Sequence, residues 1–177
     1  MSVPQTSVAF LRGINLGRRR VTSPQLVEVF LGLGFEQAST FLASGNVLFA
    51  HHGPADPDGI AAGLAEALGY PVPTTVRSAD ELRELARMHP FAAEAIAAST
   101  GKRQVMLLFE APSVPAQAEV LALATPNDQL RFGQRALHWL PSGGVAESKL
   151  DLDRVTKLLG LNTVRTANTI SRLVAKL

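Results

Sequence analysis

Apolar residues along the chain fall into short blocks, and the blocks switch between two spacings. Val8-Ala9-Phe10-Leu11 is a continuous apolar run that fits a central strand buried on both faces. It runs into a loop with two glycines, Arg12-Gly13-Ile14-Asn15-Leu16-Gly17-Arg18-Arg19-Arg20. Ser23-Pro24 then supplies a helix cap and a first-turn proline. Leu26, Val29, Phe30 and Leu33 follow at helical spacing, with a stop at Gly34. Ala38–Ala43 and Val47–Ala50 read as two strands joined by the tight turn Ser44-Gly45-Asn46, where Gly and Asn can take positive φ. Asp56-Pro57 opens a helix with Ile60, Leu64, Ala67 and Leu68 on one face, stopped at Gly69. Pro73–Arg77 reads as a strand. Ser78 to Glu81 is a capping box that starts a helix running to about Met88, which His89-Pro90 ends.

The second half spells the same order. Gln104–Phe109 is a strand, and a helix follows around Ala116–Ala124. Gln129–Phe132 and Ala136–Leu140 form a hairpin across Gly133-Gln134. Ser148 to Asp151 reads as another capping box, opening a helix with Leu152, Val155, Leu158 and Leu159 on one side. Asn162–Arg165 is a short strand, and Asn168 caps a last helix with Ile170, Leu173, Val174 and Leu177 on one face. The pattern predicts an α+β fold of two consecutive ferredoxin-like (βαββαβ) units, with antiparallel sheets and helices packed on one face. Residues 1–90 form the first unit, 91–102 a linker broken at Ser99-Thr100-Gly101, and 103–177 the second unit with an extra C-terminal helix. The order of elements repeats, but no repeat of residues is visible. Leu137 and Trp139 share a strand face, which predicts a buried indole.

Composition narrows the class. Hydrophobic residues make up 46% of the 177 and charged residues 18%, which excludes a disordered chain, a coiled coil and a collagen-like chain. Cysteine is absent, so disulfide frameworks and thiolate metal sites are excluded. Seventeen basic residues against fifteen acidic ones give +2, an ordinary balance that does not call for nucleic acid. The pI near 9.4 follows from the scarcity of groups titrating above neutrality. No apolar run is long enough for a signal segment or a membrane span, so a soluble cytoplasmic protein without membrane contact is expected.

Several motifs resemble one family. They are Arg12-Gly13-Ile14-Asn15-Leu16-Gly17, Ser44-Gly45-Asn46, His89-Pro90-Phe91, Ser148-Lys149-Leu150 and the tail Thr163-x-Arg165-x-x-Asn168-Thr169. Together they resemble the bacterial domain-of-unknown-function family 1697, from residue 6 to 177. The resemblance implies two ferredoxin-like halves in a soluble bacterial protein and carries no assigned activity. The chain departs from the family's pattern at Arg18, where a second Gly is usual. It departs again at Thr166-Ala167, where the family's tail has Asn-Trp.

Chemistry concentrates at two places. In a βαββαβ unit the loop after the first strand and the hairpin between the second and third lie at one end of the sheet. That brings Arg12, Gly13, Asn15 and Gly17 beside Ser44, Gly45 and Asn46, with the N-terminus of a helix close by. Such a rim suits a small anionic ligand or a nucleotide. The competing reading is that the glycines serve turn geometry and the two Asn side chains brace the loops. The same topology places Ser148, Lys149, Arg165 and Asn168 at one end of the second half, a second candidate anion site. Arg18-Arg19-Arg20 supports an alternative, a nucleic-acid backbone clamp. The third strand lacks the aromatics of an RNA recognition motif, which weakens that alternative. An assembly module pairing apolar sheet surface is the remaining one. No phosphate-loop or dinucleotide motif is present, and Gly101-Lys102 precedes a strand where such a loop would open a helix. No cofactor is implied, and the His spacing gives no metal site.

Overall fold

The computed structural model describes residues 3–17, 19–42 and 45–177. The described elements are eight strands and seven α-helices. The chain divides into two compact units, one up to Leu82 and the other from Arg83 to Lys176.

In the first unit β1 (Gln5–Leu11), β2 (Gln37–Thr40), β3 (Asn46–His51) and β4 (Thr74–Ser78) form an antiparallel sheet in the order β2-β3-β1-β4. The run expected to be a two-sided central strand is β1, with β3 on one side and β4 on the other. Pleating sends Ala9 and Leu11 to one face, where they join Val47, Phe49, Leu26, Phe30, Ile60 and Leu64 in the core under α1 (Ser23–Gly32) and α2 (Pro57–Leu68). Val8 and Phe10 point the other way and are also fully buried. α1 is capped one residue earlier than the proline suggests. Thr22 and Gln25 form the capping box, and Ser23 is already helical. Asp56 caps α2 as expected.

α3 (Ala79–Arg87) opens with the expected box, the Ser78 amide donating to Glu81 Oε2 and the Glu81 amide to Ser78 Oγ. The segment expected to be a linker contains a further helix, α4 (Ala93–Ala98). Its exit is sealed to the second sheet. Ser99 Oγ donates to the Pro141 carbonyl and the Thr100 amide to that of Ser142. Gly101 must be glycine, because a Cβ there would stand 2.0 Å from the Gly143 carbonyl oxygen.

The second sheet repeats the first, in the order β6-β7-β5-β8, from β5 (Gln104–Leu108), β6 (Asp128–Gly133), β7 (Ala136–Pro141) and β8 (Asn162–Thr166). Met106, Leu108, Leu130, Leu137 and Trp139 share one face under α5 (Val114–Leu121) and α6 (Leu152–Leu159). Trp139 is 2% exposed, as the strand pattern requires. α6 is capped by Asp151, not by Ser148. α7 (Ala167–Val174) is capped by Thr166, not by Asn168. In both cases the residue directly before the first helical residue holds the N3 amide.

The two halves also repeat at the residue level, where no repeat was expected. Thr75-Val76-Arg77-Ser78-Ala79 and Thr163-Val164-Arg165-Thr166-Ala167 both join a last strand to the next helix. Arg77 Nη1 donates to Thr75 Oγ1 at 2.7 Å and to the Val76 carbonyl at 2.9 Å. Arg165 Nη1 repeats this at 2.8 Å to Thr163 Oγ1 and 2.8 Å to the Val164 carbonyl. Five residues are too few to stand out in a linear comparison, but their side chains hold the same positions.

Candidate functional site

Phe10 pairs with Asn46, and the Leu11 amide donates to the Gly45 carbonyl at 2.8 Å, so the loop after β1 and the β2–β3 hairpin share one end of the sheet. Arg12 is half-buried there, its amide donating to the Pro73 carbonyl. The amide side chains brace the loops. Asn15 Oδ1 accepts from the Val21 amide at 3.0 Å, and Asn46, fully buried, donates through Nδ2 to the Phe41 carbonyl at 2.9 Å. Gly45 has φ +73°, and a Cβ on it would lie 3.0 Å from Ile14 Cδ1 and 3.2 Å from Leu11 Cβ. Only glycine meets both demands. Ile14 seals the loop from beneath, 4% exposed, and its carbonyl accepts from Tyr70 Oη. Gly13 and Gly17 turn the loop with positive φ.

The two described arginines of the run both make contacts within the protein. Arg19 stacks 4.1 Å over the Tyr70 ring, and Arg20 Nη1 donates to the Gly17 and Arg19 carbonyls. Ser44 and Arg18, part of the expected rim and clamp, lie outside the described residues.

The second candidate set is placed on two strands. Ser148 Oγ donates to Asp128 Oδ1 at 2.7 Å, so Ser148 and the exposed Lys149 sit over β6. Asp128 is fully buried and also accepts from Trp139 Nε1 and Thr125 Oγ1. Arg165 lies on β8, and β6 and β8 are the two edges of the sheet. Burial pushes its guanidinium down to about 10, still charged at neutral pH. Asn168, exposed in the first turn of α7, stands just past Arg165.

Asn168 borders a feature that no motif marks. A groove of about 580 Å³ is lined by Ile96, Lys102, Arg103, Thr166, Ala167, Asn168 and Ser171. Register brings its walls together: Gln104 pairs with Thr166, and the Ala167 amide donates to the Arg103 carbonyl at 2.9 Å. Lys102 and Arg103 thus flank the N-terminal turn of α7. The available signal was the Lys-Arg pair entering β5, and it acquires meaning only once β8 is paired beside it.

Histidine enters in ways that spacing does not reveal. His51 Nδ1 faces the Gly53 carbonyl at 2.8 Å and Nε2 faces Ser7 Oγ at 2.9 Å, so in the neutral ring Nδ1 donates to the carbonyl and Nε2 accepts from the hydroxyl. The order hydroxyl–imidazole–carbonyl is that of an activated nucleophile. Ser7 and His51 are nonetheless 3% and 7% exposed, and the imidazole stands 5.2 Å from the Phe49 ring, so the pair secures the end of β3. Among the described residues no three His, Asp or Glu side chains gather to hold a metal. Nor is any helix among them long and apolar enough to cross a membrane.

A family model described as a protein of unknown function (DUF1697) matches residues 5–138. The solved structure of a conserved bacterial protein from Streptococcus pneumoniae superposes with a TM-score of 0.74 at 18% identity, covering 99% of each chain. At that identity the likeness speaks to the fold. No curated protein matches the chain.

Proposed function

Because the chain belongs to the DUF1697 family, which has no known function, activity must be read from geometry, and we propose that this protein binds a small phosphate- or carboxylate-bearing ligand where α7 begins. The groove there carries the proposal: about 580 Å³, with Lys102, Arg103 and the first turn of α7 on its walls. Its size is in the range of small-molecule sites. A helix N-terminus favours negative charge, and an arginine fork suits two anionic oxygens. Asn168 adds a neutral amide at the same edge. We read each half as a ferredoxin-like unit whose sheet end builds the site from turns. The Arg12–Gly17 rim fits a structural role better, since its asparagines brace the loops. Arg19 is stacked on the Tyr70 ring and Arg20 is bonded to carbonyls of its own loop, which disfavours the nucleic-acid clamp.

Calorimetric or NMR titration of the full chain with phosphate, pyrophosphate, a nucleotide and a short oligonucleotide tests this. Lys102→Ala and Arg103→Ala should each weaken phosphate-ligand binding about 10-fold or more, the worth of one charge-assisted hydrogen bond. Binding that both substitutions leave intact would refute the site. Oligonucleotide binding lost in Arg19→Ala/Arg20→Ala would favour the clamp.

A further inference from the structure

The groove at the start of α7 is larger than an anionic head group needs. Sites of about 580 Å³ hold ligands of drug size, so a phosphate fills only part of it. Ile96, on α4, is 40% exposed and lines the groove. Ala167 adds a methyl group, and the stems of Lys102 and Arg103 carry apolar surface below their charged ends. The two hydroxyls of the lining already serve α7. Thr166 Oγ1 accepts from the Thr169 amide at 3.1 Å and lies 3.0 Å from Thr169 Oγ1, and Ser171 Oγ donates to the Ala167 carbonyl at 3.1 Å. That leaves Lys102, Arg103 and Asn168 as the polar side chains to meet a ligand, two of them cations.

We propose that the ligand of this groove is an organic phosphate with an apolar, hydroxyl-poor body, an alkyl or aryl phosphate as opposed to a bare ion or a sugar phosphate. This rests on the reading of the groove as an anion site and specifies the rest of the ligand. Two cationic side chains match a phosphate dianion. Their charge holds the head group of any phosphate, so selection among phosphates falls to the remainder of the lining. An apolar body covers Ile96 and Ala167 and releases the water on them. A sugar body brings several hydroxyls that lose water on entry, and with Thr166 and Ser171 engaged they find too few partners. The competing reading is that Ile96 is one of the scattered apolar side chains that any protein surface carries.

The test is a calorimetric titration of the full chain at pH 8, where the phosphates are dianions. The probes are inorganic phosphate, then methyl, ethyl, propyl and butyl phosphate, and glycerol phosphate. Affinity should rise along the alkyl series, by up to about fourfold for each methylene the groove covers. Glycerol phosphate has the carbon chain of propyl phosphate with two added hydroxyls, and it should bind more weakly than propyl phosphate. Ile96→Ser should flatten the series while leaving inorganic phosphate bound as in the parent, with circular dichroism checking the fold. A flat series in the parent protein needs no variant and overturns the inference, while bound inorganic phosphate keeps the anion site. Glycerol phosphate binding as tightly as propyl phosphate, or a series that rises unchanged in Ile96→Ser, overturns it too. If no phosphate binds at all, the phosphate site falls and the inference with it.

Discussion

Asn46 and Gly45 show how a residue's role turns on what surrounds it. Asn46 is fully buried, with its amide nitrogen on the Phe41 carbonyl. Asn46→Ala leaves that carbonyl without this donor and should lower unfolding stability by about 1–3 kcal/mol. Gly45→Ala should cost a similar amount, because the new Cβ meets Ile14 and Leu11 at positive φ. Denaturant unfolding measures both. Neither change should alter phosphate binding if the α7 groove is the site. The identity of these residues was legible in the sequence as turn formers. Their choice between bracing and binding was not, because it depends on partners such as Val21 and Phe41 that only the folded loops supply.

Caps illustrate the element scale. Both Thr166 and Asn168 are competent N-cap residues, and propensity, which ranks Asn above Thr, does not select Thr166. Register does: β8 runs through Thr166, so the helix starts at Ala167, and the Thr166 hydroxyl accepts from the Thr169 amide at 3.1 Å. Thr166→Ala should therefore destabilise the protein by about 1 kcal/mol. Asn168→Ala, at an exposed position, should fall within about 0.5 kcal/mol of the parent. Thermal unfolding of the two variants checks the assignment. If Asn168→Ala also weakens phosphate binding, its role belongs to the groove and not to the helix. Ser148 tells the same story at α6. Its hydroxyl goes to the buried Asp128, and Asp151 takes the cap.

At the scale of the molecule, the two units carry different probes. Trp139 is the sole tryptophan, so indole fluorescence reports the unit from Arg83 to Lys176 alone. That unit also holds His138, lowered to about 4 by burial, with Arg103 contributing. The unfolded chain binds the histidine proton near pH 6.5 and the folded one only near 4. Stability is therefore full above about pH 6.5 and falls as the pH drops toward 4. The loss reaches about 3 kcal/mol, because each tenfold difference in proton affinity between the folded and unfolded chain is worth about 1.4 kcal/mol. The denaturant midpoint followed by Trp139 should fall over that window, and His138→Phe should flatten the fall. A midpoint equally pH-sensitive in His138→Phe would assign the acid response elsewhere.

The sequence by itself determined the order of elements apart from α4, the antiparallel α+β class, the core faces and the burial of Trp139. Each of these follows from local periodicity, caps and turns, which short stretches of chain encode. It also placed Asn15 and Asn46 at one sheet end, since the order of strands implies it. Tertiary structure decided the rest. The Lys102–Arg103 groove exists because β5 pairs with β8. The repeated Thr-Val-Arg join is recognised because two arginines make the same bonds. The close packing of Met88 and His138 on Gly133 requires a helix end and a hairpin to meet. Such facts depend on contacts between residues far apart in the chain, and no local pattern records them.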